Sequence, residues 1–379
     1  PIKTAFRSGD GGRIQIREAC LHNLKNLNAA FPTGCLNVVT GPSGSGKSTL
    51  VFSVLAEDSH RSGEKNIVKG LEAFSRIISV RQASAHRMKR SNVATYTDLY
   101  APIRKLFAEY GEVSSENGAG GSASSRINLP RIDAAAFSFN RPGGRCETCE
   151  GMGTVRNHLV FFADSEVTCP VCQGRRFQDH VLAVRFLGLS ISDVLDLSVA
   201  EALSVFEASA PEVSVPDASA PHSKASLIHS VIRILHLLED VGLDYLTLGQ
   251  SLTTLSEGEC QRLKLARELL KAPSGHSLYL LDEPTRGLHP LDVEHFLNLL
   301  NRLVDAGNTV IVVEHNQLLI LAADYVLDLG PGGGEQGGRV VFSGTPQELL
   351  ERGTGVTADC LRKAAETDAA FLSSPSLRS

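Results

Sequence analysis

The sequence predicts an α/β fold whose core is interrupted by a long inserted segment. A glycine-rich loop at residues 41–48 and the acids Asp282 and Glu283 each follow an apolar stretch of strand length, which is typical of buried strands that end at a sheet edge. Four cysteines in two pairs lie between these two motifs. We therefore expect one core built from both ends of the chain, with a cysteine-containing insertion.

The first motif reads Gly-Pro-Ser-Gly-Ser-Gly-Lys-Ser and fits the pattern G-x-x-x-x-G-K-[ST]. A predicted strand at residues 36–40 precedes it and a predicted helix at 49–55 follows it, which is the context that the pattern requires. Backbone N–H groups of such a loop turn inward around phosphate oxygens, and the helix N-terminus adds its positive dipole end. Lys47 supplies a charge and Ser48 a hydroxyl for magnesium, so the loop predicts phosphate binding.

The second motif follows residues 277–281, which are too short for a useful helix and run into the turn residues Pro284 and Gly287. They predict a buried strand that delivers Asp282 and Glu283 to a sheet edge, where acids can hold a metal and a water. Taken alone, the pair could equally be a solvated strand end.

The cysteines divide into scattered and paired residues. Cys146, Cys149, Cys169 and Cys172 form two Cys-x-x-Cys pairs in Gly-rich turns, a spacing that matches a four-thiolate zinc site. Disulfides are the alternative, which an intracellular chain disfavours.

Composition describes a globular chain of 379 residues, 42% of them hydrophobic, enough for two domains or one with a large insertion. We expect a cytoplasmic protein, because the sequence shows neither a membrane span nor a secretory signal. The net charge of −5 argues against a uniformly basic nucleic-acid-coating protein. One basic patch is nevertheless present, and it is either a nucleic-acid contact or a solvated face: Arg76, Arg81, His86, Arg87, Lys89 and Arg90.

The rest of the chain shows weaker sequence patterns, which predict secondary structure. Residues 13–40 predict antiparallel strands, and 76–80 predict a short strand after which Gln82 could reach the magnesium or lie on the surface. Within the insertion, the Gly/Ser-rich segment 111–126 predicts a mobile loop, and the zinc module follows at 137–177. A strand is then predicted at 181–187 and a helix at 191–206. The segment 207–226 predicts a disordered or excursion loop, after which a helix is predicted at 227–241.

A further helix is predicted at residues 261–270, because Ser256 and Glu259 form a plausible capping box before it. Its N-terminus is rich in small residues and is therefore an anion site. A strand predicted at 309–313 ends at His315, which could donate to a terminal phosphate or be an ordinary structural histidine. We expect the chain beyond about residue 351 to fray.

In chain order, the phosphate loop, Gln82, the Leu-Ser-x-Gly sequence at 255–258, Asp282/Glu283 and His315 resemble the ATPase domain of ATP-binding cassette proteins. The four-cysteine module narrows the resemblance to the UvrA family of bacterial excinuclease proteins, and within it to the C-terminal half. Further motifs carry this resemblance over residues 14–350, at 91–96, 138–140, 143–147, 262–266, 281–285, 287–289, 306–309, 314–316 and 328–331.

The resemblance implies ATP, Mg²⁺ and Zn²⁺ as cofactors and assigns roles to residues. Gln82 and Asp282 complete the metal shell, Glu283 polarises the attacking water, and His315 senses the γ-phosphate. Hydrolysis requires the Ser256 helix of one cassette to close on the nucleotide of another. Nucleotide contacts are implied for Gly41, Pro42, Ser43, Gly44, Ser45, Gly46, Lys47, Ser48, Thr49, Asp282, Ser256 and Gly258.

The resemblance also implies the domain order. Residues 1–82 and 246–350 are expected to form the cassette core, 83–245 the inserted signature and DNA-binding region, and 351–379 a flexible tail. Three features depart from the family: there is one phosphate loop instead of two, Glu257 replaces a glycine, and 207–226 resembles an insertion.

The implied function is ATP-dependent binding of damaged DNA in nucleotide excision repair, with a second cassette supplied by homodimerisation or by an N-terminal half. A DNA-bound self-resistance or accessory protein with slow ATP turnover is the alternative, and a transporter-type ATPase is a weaker one. The candidate DNA contacts are Arg87, Lys89, Arg90, Arg175 and Arg176.

Overall fold

The structure is a computed structural model, and it describes residues 5–58, 67–81, 90–113, 132–157, 165–210, 223–271 and 276–373. The chain forms two compact units. Unit 1 combines Pro1–Ala83 with Lys271–Ser379, and unit 2 is Ser84–Leu270. The predicted return to the core at residue 246 therefore differs from the observed boundary.

Backbone pairing explains this difference. Residues 246–255 bond to other parts of unit 2: Leu248 N–H donates to Leu197 O at 2.9 Å, and Val93 N–H donates to Gln250 O at 3.1 Å. The segment that leads into the Leu-Ser-Glu-Gly sequence is thus built into the inserted region.

Unit 1 is organised around a sheet that has, within the described residues, six strands in the order β13-β12-β3-β11-β10-β5. β13 runs antiparallel and the other five are parallel. The strands are β3 (Leu36–Thr40), β5 (Arg76–Val80), β10 (Ser277–Asp282), β11 (Thr309–Val313), β12 (Tyr325–Gly330) and β13 (Arg339–Gly344). Every residue of β3 and β11 is buried, as expected for strands covered on both faces.

A second, antiparallel sheet of order β2-β1-β4 packs on the same core. It consists of β1 (Arg13–Ala19), β2 (Leu27–Pro32) and β4 (Val68–Lys69). The antiparallel strands predicted for residues 13–40 are thus confirmed for 13–32, whereas 36–40 is β3, which pairs in parallel with β11 and β12. The unit 1 helices are the π-helical stretch Thr49–Leu55 with its continuation α1 (Ala56–Asp58), α9 (Pro290–Asp305), α10 (Gln317–Ala322), α11 (Pro346–Arg352) and α12 (Val356–Ser373).

Unit 2 is mainly helical, with short strand pairs β6-β9 and β7-β8. Its core is aromatic: the Phe107 ring lies 5.6 Å from that of Phe137 and 5.8 Å from that of Phe186. The helices are α2 (Val93–Tyr96), α3 (Tyr100–Tyr110), α4 (Asp179–Leu182), α5 (Ile191–Asp196), α6 (Val199–Ala208), α7 (Lys224–Asp240) and α8 (Glu257–Lys271). The strands are β6 (Glu112–Val113), β7 (Thr154–Asn157), β8 (Ser165–Thr168) and β9 (Val184–Arg185).

Two elements of unit 2 differ from their prediction. The stretch 181–187, predicted as a strand, is the end of α4 followed by the two-residue β9, since a short apolar run does not distinguish helix from strand. The predicted helix 191–206 is divided into α5 and α6, because Ser198 caps α6 through a reciprocal bond with Glu201. The predicted helix at 227–241 is confirmed as α7.

The C-terminal tail differs from its prediction. Residues 356–373, expected to be flexible, form α12, whose Thr357 hydroxyl donates to the buried carboxylate of Asp328 at 2.9 Å. The predicted loop 111–126 and the segment 207–226 lie mostly outside the described residues. No described helix is both long and apolar enough to cross a membrane.

Candidate nucleotide and metal sites

The parallel strands of unit 1 end at one edge, and the predicted site residues lie there. The phosphate loop follows β3, Glu283 follows β10, and His315 follows β11. Because β10, β11 and β3 are neighbours in the sheet, these three segments are adjacent. Lys47 interacts electrostatically with Glu283 and Asp282, so the sheet brings the loop lysine and both acids into one site.

The backbone of the phosphate loop depends on glycine. Gly41, Gly44 and Gly46 have φ of +132°, +75° and +103°, a region that side chains disfavour. A Cβ on Gly41 would lie 2.1 Å from the carbonyl oxygen of Leu329, so no larger residue fits there. The glycines allow a tight loop between β3 and the following helix.

The loop lysine is buried and faces inward. Lys47 Nζ donates to the carbonyl oxygens of Gly41 at 2.9 Å and Pro42 at 2.8 Å. Burial lowers the pKa of Lys47, while the nearby carboxylates, chiefly those of Glu283 and Asp328, act in the opposite direction. The ammonium is thus a positive charge held inside the loop, where phosphate oxygens can replace the carbonyls.

Two hydroxyls of the loop are available to a phosphate or to a magnesium ion. Ser45 Oγ is fully buried and has no hydrogen-bond partner among the described residues. Ser48 is exposed at the N-cap of the following helix and makes no capping hydrogen bond with its side chain. A buried hydroxyl without a protein partner is uncommon, and a bound phosphate or a water molecule would supply the partner that Ser45 lacks.

The strand-end acids differ in environment. Burial and the neighbouring charge of Glu283 raise the pKa of Asp282. Glu283 has φ +43°, and its N–H donates to Val313 O at 2.9 Å. This left-handed backbone conformation is uncommon for a glutamate, and residues in such conformations cluster at functional sites. A carboxylate pair beside Lys47 fits the oxygen ligands that Mg²⁺ prefers.

His315 lies at the same edge of the sheet as the two acids. Its Nε2 lies 3.6 Å from Oε1 of Glu283. Burial and the charge of Lys47 lower the pKa of His315, although the acids Glu283 and Glu314 oppose this. A neutral imidazole has one N–H donor to offer, which suits contact with a phosphate oxygen.

Glu314 is a site residue whose role the sequence analysis missed. Its side chain is buried, with Oε1 accepting from Thr285 N–H and hydroxyl, and Oε2 accepting from the N–H groups of His315 and Asn316. It therefore fixes the segments after β10 and β11 relative to each other. A charged residue directly after the apolar run 310–313 was the available signal.

In unit 2, the helix beginning with Leu-Ser-Glu-Gly has the predicted capping box. Ser256 N–H and hydroxyl donate to Glu259 Oε2 at 2.6 and 2.7 Å, and Glu259 N–H donates back to Ser256 Oγ at 3.3 Å. The Tyr245 hydroxyl donates to the other oxygen of Glu259 at 2.6 Å. Glu257 is exposed in the first turn of α8, next to the half-buried Gly258.

The four paired cysteines form a metal site. Cys146, Cys149, Cys169 and Cys172 are buried, and their sulfur atoms all lie within 4.8 Å of one another. A zinc tetrahedron with Zn–S of ~2.3 Å has sulfur atoms ~3.8 Å apart. The Cys146–Cys169 and Cys149–Cys172 sulfur distances, 4.0 and 3.6 Å, fit this geometry. Zn²⁺ bound there would tie the two Cys-x-x-Cys turns together.

Of the predicted DNA contacts, three are described. Arg90 and Arg175 are both exposed: Arg90 forms an ion pair with Glu150 at 2.6 Å, and Arg175 donates to Cys172 O at 3.2 Å and lies 3.9 Å from Asp179. The Arg176 guanidinium lies 5.6 Å from the Phe139 ring centre and donates to Gly249 O at 3.0 Å, so it also supports unit 2. Gln82, Arg87 and Lys89 lie outside the described residues.

A sheet that presents a phosphate loop, strand-end acids and a histidine at one edge, joined to a four-cysteine insertion, defines an ATP-binding cassette with a zinc-binding insertion. Its residues fit ATP, Mg²⁺ and Zn²⁺. A family model described as AAA domain, putative AbiEii toxin, Type IV TA system, matches residues 191–322.

Proteins of similar sequence and structure show which ATP-binding cassette proteins this chain resembles. The chain is 43% identical over 376 residues to UvrABC system protein A of Bacillus subtilis, covering 97% of this chain and 36% of that protein. It is 41% identical over 372 residues to UvrABC system protein A of Aquifex aeolicus, covering 96% of this chain and 36% of that protein. The crystal structure of UvrA2 from Deinococcus radiodurans superposes with a TM-score of 0.75 at 43% identity, covering 95% of this chain and 40% of that one. The chain is thus similar to UvrA proteins over almost its whole length, and it spans about a third of the length of these curated relatives.

Proposed function

We propose that this chain binds damaged or modified DNA and hydrolyses ATP in the damage-recognition step of nucleotide excision repair, in the cytoplasm. The observation that carries the proposal is the convergence of Lys47, Asp282, Glu283 and His315 at one sheet edge. Similarity to UvrABC system protein A supports the part of the proposal that concerns DNA.

The residues at this edge of the sheet would have different roles in ATP hydrolysis. Lys47 and the loop N–H groups bind the phosphates, and Ser48 and Asp282 would hold Mg²⁺, which neutralises phosphate charge. Gln82 is proposed as a further ligand. Glu283 then accepts a hydrogen bond from the attacking water, and His315 donates to the γ-phosphate.

The second part of the site is proposed to come from another cassette. Ser256 caps α8 and Gly258 lies in its first turn, and the N-terminus of this helix offers N–H groups and a positive dipole end. Closure of this helix on the nucleotide of a partner cassette would complete the site. The partner is a second copy of this chain or an N-terminal half, and excision-repair subunits are further candidate partners.

DNA binding is proposed for Arg87, Lys89, Arg90, Arg175 and Arg176. Arg175 is the clearest candidate among the described residues, because it is exposed on the zinc module and its carboxylate neighbour Asp179 is 3.9 Å away, whereas the exposed Arg90 is paired with Glu150 at 2.6 Å. A phosphate contact would contribute charge without sequence information.

A slower enzyme is a second candidate function, and the exposed Glu257 favours it. A carboxylate in the first turn of α8 would repel the phosphates of a nucleotide at this helix N-terminus. Such a chain would occupy DNA with little turnover, as an accessory or self-resistance protein.

The test is DNA binding as a function of salt concentration with Arg175→Ala. Loss of one phosphate contact should reduce the slope of log affinity against log salt by about one, equally for all sequences. Arg352→Ala, which removes an exposed arginine from unit 1, is the matched control. Equal slopes for wild type and both variants would contradict the assignment of Arg175, and absence of any DNA binding would contradict the function.

A further inference from the structure

The phosphate loop is supported from behind by a second, glycine-rich loop, residues 330–338, which connects β12 to β13. Gly334 N–H donates to the carbonyl of Gly44 at 3.0 Å, and Gly338 N–H donates to the carbonyl of Ser45 at 3.0 Å. Two successive carbonyls of the phosphate loop are thus hydrogen-bonded to one neighbouring segment.

A side chain from the β1–β2 connection supports the same place. Asn23 Nδ2 donates to Gly44 O at 2.7 Å, so this carbonyl accepts two hydrogen bonds. Asn23 is in turn held close to the second loop, since a Cβ on Gly338 would lie 1.8 Å from Asn23 O. Lys25 N–H donates to Gly338 O at 3.0 Å, and the Lys25 ammonium contacts Glu335 O.

The planarity of the peptide bond gives these contacts a functional consequence. In a trans peptide unit the C=O and the N–H point in opposite directions. Holding Ser45 C=O toward Gly338 therefore directs the N–H of Gly46 to the opposite side of the loop. Phosphate loops bind oxygens with such inward N–H groups, so the donors behind the loop set the orientation of the groups that bind.

We propose that Asn23 and residues 333–338 of the second loop are positioning elements for nucleotide binding, which hold the phosphate loop in its binding shape through the carbonyls of Gly44 and Ser45. This inference rests on the proposed function of the loop as an ATP site. It assigns these residues an effect on nucleotide affinity that acts through the backbone of the phosphate loop.

Two neighbouring glycines provide a matched pair of variants. Gly333 has φ −97°, which any residue adopts, but its added Cβ would lie 2.3 Å from the carbonyl oxygen of Ser43. Gly333→Ala therefore pushes directly on the phosphate loop. At Gly332 the nearest atom to an added Cβ is the flexible end of Gln336, at 3.1 Å, so Gly332→Ala is the control.

A second pair alters charge instead of volume. Asn23→Asp replaces the donor to Gly44 O with an acceptor that repels it. Asn26→Asp makes the same change at an exposed position in the same connection. Both pairs are compared with Lys47→Ala, which removes the loop charge.

The experiment measures the dissociation constant of Mg-ATP by titration and the melting temperature without nucleotide, using the full chain. We expect Gly333→Ala and Asn23→Asp to weaken Mg-ATP binding about tenfold, and Gly332→Ala and Asn26→Asp to bind like wild type. Melting temperatures without nucleotide should agree within each pair, because a loss of folding alone would lower them.

The outcomes separate the two levels of the proposal. If Lys47→Ala binds Mg-ATP as tightly as wild type, the ATP site and this inference are both overturned. If Lys47→Ala loses binding while both pairs bind equally, the positioning role alone is overturned. Weaker binding that only parallels a lower melting temperature in both pairs also overturns it.

Discussion

The buried carboxylate of Glu314 accepts hydrogen bonds from both the N–H and the hydroxyl of Thr285, at 2.9 and 2.5 Å. Its other oxygen accepts from the N–H groups of His315 and Asn316 at 2.7 and 3.0 Å. One side chain thus satisfies four donors and links the segment after β10, which carries Glu283, to the segment that carries His315.

Glu314→Gln should lower ATP turnover about tenfold and the free energy of unfolding by about 1–3 kcal/mol. The amide replaces one acceptor oxygen with a donor, so two of the four donors lose their partner. Steady-state ATPase assays and urea unfolding measure the two effects. Glu294→Gln, an exposed change on α9, is the control, and wild-type values for Glu314→Gln would contradict this role.

Metal analysis should find one zinc per chain, and Cys169→Ser should lose it. Structural zinc contributes about 10–16 kcal/mol of apparent binding energy, so chelation should unfold the zinc module. Unit 1 has its own core and should keep its nucleotide affinity. Cys360→Ser, which changes an exposed cysteine outside the cluster, should retain the metal. Zinc-free protein from a chelator-free preparation would refute the site.

Asp328 should make stability depend on pH. Burial raises its pKa to about 6 from 3.8, with Thr357 and Lys47 acting in the opposite direction. The folded protein therefore holds this proton more tightly than the unfolded chain does, and stability is lost as the pH rises through about 6, by about 3 kcal/mol in total.

Asp328→Asn should remove this pH-dependent loss of stability, because the amide does not titrate. Its gain in unfolding free energy over wild type should be about 2 kcal/mol larger at about pH 7.5 than at about pH 4.5. Asp359→Asn, an exposed change on α12, should show no such difference. A gain for Asp328→Asn that is equal at both pH values would show that this carboxyl has an ordinary pKa.

Glu257→Gly should speed turnover with DNA present. Like charges ~4 Å apart at an effective dielectric constant of ~20 repel by about 4 kcal/mol, and even ~1.4 kcal/mol is a tenfold change in rate. Glu257→Gln, which removes the charge but keeps the side chain, separates charge from backbone flexibility and should also be faster. Equal rates for all three proteins, at equal dimer fraction, would rule out the electrostatic effect.

The sequence predicted the strands of the sheet well because their signal is local. Residues 36–40, 76–80 and 309–313 are short stretches rich in Val, Ile and Leu, and each is observed as a strand with those bounds. The phosphate loop and the paired cysteines were also predictable, because their chemistry fixes residue type and spacing.

The remaining features depend on contacts distant in sequence. Glu314 and Thr285 are 29 residues apart, and Asp328 and Thr357 are also separated by 29. No periodicity indicates that such pairs meet. Likewise, α12 is stabilised by what it packs against, and its composition alone indicated a frayed tail.

The most direct test of the account is ATP binding and steady-state hydrolysis by Glu283→Gln with DNA present. We expect this variant to bind Mg-ATP as tightly as wild type but to show no turnover above background, because the amide does not polarise the attacking water. Lys47→Ala, which should fail to bind, verifies that the measured activity belongs to this site. If Lys47→Ala is inactive while Glu283→Gln hydrolyses ATP at the wild-type rate, the assignment of hydrolysis to this strand-end glutamate is contradicted.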